Sequence, residues 1–176
     1  MTEKASAKKT TVKKVSSTLK NGTFTVSGKG KMPESAMPKV AQKKKIKKIV
    51  IKNGVTELPE DAFRDCSKAT VITIAPTVNR IGAMAFYNTG VEKITIPKKA
   101  GNLGYGMLQN CKNLKKLTIP GNFWAREPKK AVNKKNLIGS LILGNDNSNI
   151  VKKVKFSTDF VWQCQETLGD CEEFEV

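Results

Sequence analysis

The chain has 176 residues, with 32 basic against 15 acidic side chains, a formal charge of +17 and no histidine. At this length folding buries roughly 70% of the surface that the unfolded chain exposes, which suits one compact domain or one short solenoid. Without histidine there can be no triad, dyad or zinc site of the histidine type, and no apolar run approaches the roughly 18 to 20 residues that cross a bilayer.

The positive charge is almost all lysine, since arginine occurs only at Arg64, Arg80 and Arg126. Base edges and bidentate phosphate contacts favour the planar guanidinium fork, so the composition argues against sequence-specific nucleic-acid binding. It leaves open either a solvated surface or attraction to an anionic polymer.

Taken in chain order, residues 1–14 are rich in Lys, Thr and Ser and read as a flexible lead without the apolar stretch of a secretion signal. Residues 15–45 read as an N-terminal cap. Asn21-Gly22 is a strong turn pair between Leu19 and the alternating Thr23, Phe24, Thr25 and Val26, which predicts a β-hairpin. Pro33, Pro38 and the lysines from Lys43 to Lys48 then mark a loop.

From Ile46 to Phe156 one phrase recurs, with apolar residues at its first, fourth and sixth positions. It reads Ile46, Ile49, Ile51; Ala69, Ile72, Ile74; Val91, Ile94, Ile96; Leu114, Leu117, Ile119; Ile138, Leu141, Leu143; and Val151, Val154, Phe156. The final members stand 23, 22, 23, 24 and 13 residues apart. Between phrases, Val55, Leu58, Ala62, Phe63 and Cys66 correspond to Val78, Ile81, Ala85, Phe86 and Thr89, and more loosely to Leu103, Met107 and Cys111. A period near 23 with an LxxLxL phrase is that of a leucine-rich-repeat solenoid. The expected fold is a right-handed β/α-type superhelix with one parallel sheet of six to seven short strands. Its returning segments are expected to be irregular or short-helical, and the repeated apolar residues are its core. Residues 157–176 contain a weaker phrase, Cys171, Phe174, Val176, and are either a closing cap or the start of a further repeat.

The stretches GVTELPEDAFRDCSKATVITIAP (54–76), TVNRIGAMAFYNTGVEKITIP (77–97), NLGYGMLQNCKNLKKLTIP (102–120) and the lead-in NGTFTVSGKGKMP (21–33) resemble the BspA-like leucine-rich repeats of bacterial and some protist surface proteins. After Pro120, GNFWAREPKKAVNKKN departs from the pattern by lacking the Ala-Phe element. The resemblance implies a secreted or surface-displayed, non-enzymatic module that binds proteins of a host or neighbouring cell.

Alternation within each strand turns Lys48, Val71, Lys93, Lys116, Ser140 and Lys153 outward in one column. A second outward column is Val50, Thr73, Thr95, Thr118, Ile142 and Lys155, and both columns end on acidic residues, Glu173 and Glu175. The candidate binding face is therefore Lys48, Val50, Thr73, Lys93, Thr95, Lys116, Thr118, Ile142, Lys153 and Lys155. Adjacent Lys93 and Lys116 either bend into solvent or are kept for an anionic partner. The threonine column fits ordinary strand propensity.

Cys66 and Cys111 occupy one place in the repeat two coils apart, about 10 Å, which is beyond disulfide reach and predicts buried thiols. Cys164 and Cys171 either bridge the C-terminal segment or remain free. Trp124 and Trp162 fall where the repeat degrades, and either plug a widened coil or anchor a partner. With no phosphate loop, EF-hand or paired carboxylates, no enzyme, cofactor or metal site is expected. The expected partner of the module, as a monomer, is a protein of unknown identity, with an anionic polymer or a purely architectural role as the alternatives.

Overall fold

The computed structural model describes residues 13–119 and the backbone of three further strands, 122–125, 154–156 and 161–163. Its strands are β1 (Ser16–Lys20), β2 (Thr23–Ser27), β3 (Gly30–Lys31), β4 (Lys48–Ile51), β5 (Val55–Leu58), β6 (Val71–Ile74), β7 (Arg80–Ile81), β8 (Lys93–Thr95), β9 (Asn102–Leu103), β10 (Lys116–Ile119), β11 (Asn122–Ala125), β12 (Val154–Phe156) and β13 (Val161–Gln163). A single helical turn, α1 (Val40–Lys43), interrupts the lysine-rich loop.

The hairpin predicted at Asn21-Gly22 is formed. Both residues have positive φ, 49° and 75°, as a tight two-residue connection requires. β1 pairs antiparallel with β2, from Ser16 opposite Ser27 to Lys20 opposite Thr23. β2 then pairs parallel with β4, so one strand both closes the hairpin and begins the stack. The first sheet has seven strands in the order β1-β2-β4-β6-β8-β10-β12, and apart from the hairpin its pairings are parallel.

The returning segments add a second sheet, ordered β13-β11-β9-β7-β5-β3 and parallel in the described pairings. Strands β3, β7 and β9 are only two residues long. So short a run has no alternation to read, which is why the second sheet is not apparent from periodicity. Each coil gives one strand to each sheet, and among the described side chains the repeated apolar residues of both turn inward.

Residues at one repeat position stack into columns between the sheets: Phe24, Ile49, Ile72, Ile94 and Leu117 form one, and Ile46, Ala69, Val91 and Leu114 another, all buried. A third runs Phe63, Phe86 and Leu108. Phe63 stacks on Phe86 with centroids 5.6 Å apart and meets Phe24 edge-on at 6.0 Å, geometries that add to plain area burial. The turns beyond Phe63 and Phe86 repeat as well. Asp65, Asn88 and Asn110 all take left-handed backbone, with φ of 64°, 53° and 60°, a conformation that short amide and carboxylate side chains tolerate. Their side chains form a ladder, the Asn110 amide donating to Asn88 Oδ1 and the Asn88 amide to Asp65 Oδ1.

In the first sheet β12 lies directly beside β10, with Thr118 opposite Lys155. The column inferred from the sequence sets Ile142 between those two residues. The pairing instead skips the phrase Ile138, Leu141, Leu143, which lies outside the described residues, and it does so at the point where the sequence departs from the repeat.

Candidate binding face

The outward side of the first sheet carries two rows built by the parallel register. One is Lys20, Thr23, Lys48, Val71, Lys93 and Lys116. The other starts Thr18, Thr25, Val50, Thr73 and continues, after a gap, with Thr95, Thr118 and Lys155. Seven of the residues expected on this face, Lys48, Val50, Thr73, Lys93, Thr95, Lys116 and Thr118, thus stand side by side. Lys155 joins through its backbone, while Ile142 and Lys153 lie outside the described residues.

Thr18, Thr23 and Thr25 belong to the face although no repeat phrase contains them. Their signal in the sequence is the alternation Thr23-Phe24-Thr25-Val26, which matches the outward-inward order of Lys48-Ile49-Val50-Ile51 in β4.

Lysine and threonine dominate, and β1, β2, β4, β6, β8 and β10 contain no Asp or Glu. Lys93 is directly opposite Lys116. The nearby acid Glu92 is already engaged, its Oε2 accepting from Lys115 Nζ at 3.0 Å. Val71, 47% exposed, is the apolar patch in the lysine row. Between β6 and β8 a groove of about 480 Å³ opens, lined by residues that include Thr73, Ile74, Lys93, Thr95 and Lys116.

The opposite side is chemically different. Lys31 pairs with Glu57 at 3.0 Å. Arg64 donates to Asp61 Oδ1 at 3.1 Å and lies over the Tyr87 ring, 4.4 Å from its centroid.

The two described cysteines sit in the core, both free and buried, as their spacing predicts. Burial pushes the Cys66 thiol up to about 12, and it also raises Cys111 against the opposing hydrogen bond from Thr89. Neither is a nucleophile near neutral pH. Cys164 and Cys171 lie outside the described residues. Among the described residues no group of three His, Cys, Asp or Glu side chains is placed to hold a metal ion, and no helix is long and apolar enough to cross a membrane.

Two solved structures are similar in part. A leucine-rich cell surface protein from Faecalibacterium prausnitzii A2-165 is 27% identical with a TM-score of 0.41, over 42% of this chain and 20% of that one. A leucine-rich repeat protein from Eubacterium ventriosum ATCC 27560 is 22% identical with a TM-score of 0.41, over 64% of this chain and 43% of that one. The chain therefore spans less than half the length of either. No curated protein matches the sequence. The family described as BspA type leucine-rich repeat region matches residues 39–158 in six copies. That span covers well over half of the chain and includes the coils from β4 to β12, so the chain belongs to the BspA-type leucine-rich-repeat family.

Proposed function

We propose that the chain is a non-enzymatic recognition module, secreted or displayed on a cell surface, that docks protein partners on the outward face of its first sheet. The observation that carries this reading is the face itself: in-register rows of lysine and threonine on strands without a single acidic residue. Stacked repeats create extended surfaces suited to binding, and membership of the repeat family supports a binding role over catalysis. The surface location rests on the family alone, and labelling intact cells with a membrane-impermeant reagent tests it.

Extracellular-matrix and serum proteins passed over the immobilised chain at physiological salt should leave at least one retained partner, and that retention should be lost when Lys48, Lys93 and Lys116 are changed to glutamate. No retained partner, or one that binds the variant equally well, overturns the reading.

The uncompensated lysines favour a second reading, an electrostatic binder of anionic polymers. Binding of that kind falls steeply with added salt because it is driven by counterion release and screened attraction. An affinity that salt does not change excludes it.

A further inference from the structure

The first sheet is not evenly stacked. β4 and β6 are in register at four residue pairs and β8 and β10 at three, whereas the backbone ladder of β6 and β8 holds the single pair Val71 and Lys93. One feature of the sequence is peculiar to this junction. The turn into β8, Thr89-Gly90-Val91, is one residue shorter than its counterparts Cys66-Ser67-Lys68-Ala69 and Cys111-Lys112-Asn113-Leu114. Gly90 is pressed against the Ser67 carbonyl so closely that a Cβ would meet that oxygen.

Pro97 adds a missing bond, although the next junction also has a proline, Pro120, after its last isoleucine and keeps its register. The Ala75 amide ties the end of β6 back to β4 by donating to the Ile51 carbonyl at 3.1 Å. Pro97 holds the place of Ala75 one coil on, and proline has no N–H to give the Ile74 carbonyl the same bond. On its other side β8 keeps its regular bonding, the Ile96 amide donating to the Thr118 carbonyl at 2.8 Å. The Ile74 carbonyl thus does not receive from the next coil the bond that the Ile51 carbonyl receives.

The gap exposes what the other coils hide. Ile51, Ile96 and Ile119 are at most 1% exposed, but Ile74 at the same repeat position is half-buried and forms part of the groove. The rim carries Lys93 and Lys116, which lie opposite one another although like charges so placed are unfavourable. One residue earlier in the same pair of coils, Lys115 is neutralised by Glu92. The cost is relieved at one position and left at the next.

We propose that the groove between β6 and β8 receives an extended acidic segment of a partner protein. Its carboxylates lie against Lys93 and Lys116, an apolar side chain covers Ile74, and the hydroxyls of Thr73 and Thr95 meet its polar groups. Two cations beside an isoleucine floor suit a peptide better than a sugar or phosphate polymer, which would neutralise the lysines and leave Ile74 in water. The proposal rests on the reading of this sheet face as a docking surface.

The probe is a short, fluorophore-labelled peptide of glutamate and leucine, titrated into the whole protein at physiological salt, with a peptide of glutamine and leucine as control. The glutamate peptide should bind saturably and the control should not. Changing Lys93→Gln together with Lys116→Gln, both at exposed positions, should weaken binding by about tenfold or more while the thermal melt stays cooperative. Backbone amide shifts should move at Thr73, Ile74 and Thr95. Affinity unchanged in the double variant overturns the proposal, as does displacement by heparin at equal charge with no effect at Ile74. Shifts confined to Thr23, Thr25 and Val50 overturn the groove but retain the docking face, whereas no shift at any outward position of the sheet overturns both.

Discussion

The two sides of the solenoid treat charge in opposite ways. On the returning side Lys31 faces Glu57, Arg64 is held by Asp61 and Tyr87, and Asp65, Asn88 and Asn110 bond to one another from coil to coil. Polar groups there are matched to partners on their own turn or one coil away, and they help to set the stacking. On the strand side the lysines stand beside threonine, valine or another lysine, with no acid on β1, β2, β4, β6, β8 or β10. Chemistry that serves the stack thus sits on one side. Charge that does not serve it sits on the other.

Substitutions that respect or violate this division should separate cleanly in stability. The largest effect is expected in the core common to both sides. Phe63→Ala removes the ring stacked between Phe24 and Phe86 and should cost about 3–5 kcal/mol in urea unfolding. Thr95→Ala on the strand side should stay within about 0.5 kcal/mol of the unmodified chain. Next is Asn88→Ala, which breaks both rungs of the amide ladder and leaves alanine at a φ of 53°. A loss of about 1–2 kcal/mol is expected, and a loss near zero would remove the ladder from the account of stacking.

A smaller effect is expected from pH. The Cys66 thiol is pushed from 9.0 up to about 12 by burial, so below pH 9 it is protonated in both the folded and the unfolded chain and contributes no pH slope. Above that, the unfolded chain releases the proton while the folded chain keeps it. Stability therefore falls between pH 9 and about 12, by about 1 kcal/mol from this group near pH 10. Cys66→Ala should lack that share of the slope, and parallel slopes for the two proteins would show that the thiol is not buried as described. The smallest effect has the opposite sign. Lys116→Gln removes a like-charge pair and should raise stability by about 0.2–1 kcal/mol, a gain that fades as salt is added.

Much of this arrangement is legible in the sequence because it depends on side-chain size at fixed intervals. The inward columns, the hairpin at Asn21-Gly22 and the separation of Cys66 from Cys111 all follow from spacing. The second sheet does not, because strands such as Arg80–Ile81 and Asn102–Leu103 are held by backbone bonds between coils and leave no alternating pattern. The outward face is legible wherever strand register follows phrase register, and fails at Ile142, where β12 pairs with β10 across the irregular stretch. The groove lies between these cases. Its traces, a 22-residue spacing and a proline after Ile96, are visible in the chain, but they gain meaning only once Ala75 is seen bonded to Ile51.

The central claim, that the strand side and not the returning side meets the partner, is tested most directly by two variants of equal charge. Lys48, Lys93 and Lys116 are changed to glutamate in one, and the exposed Lys68, Lys98 and Lys112 in the other. Binding of a protein retained by the unmodified chain is then compared at physiological salt. Loss in the first variant with retention in the second is the expected result. Equal loss in both would mean that net charge alone drives binding, and would contradict the assignment of the face.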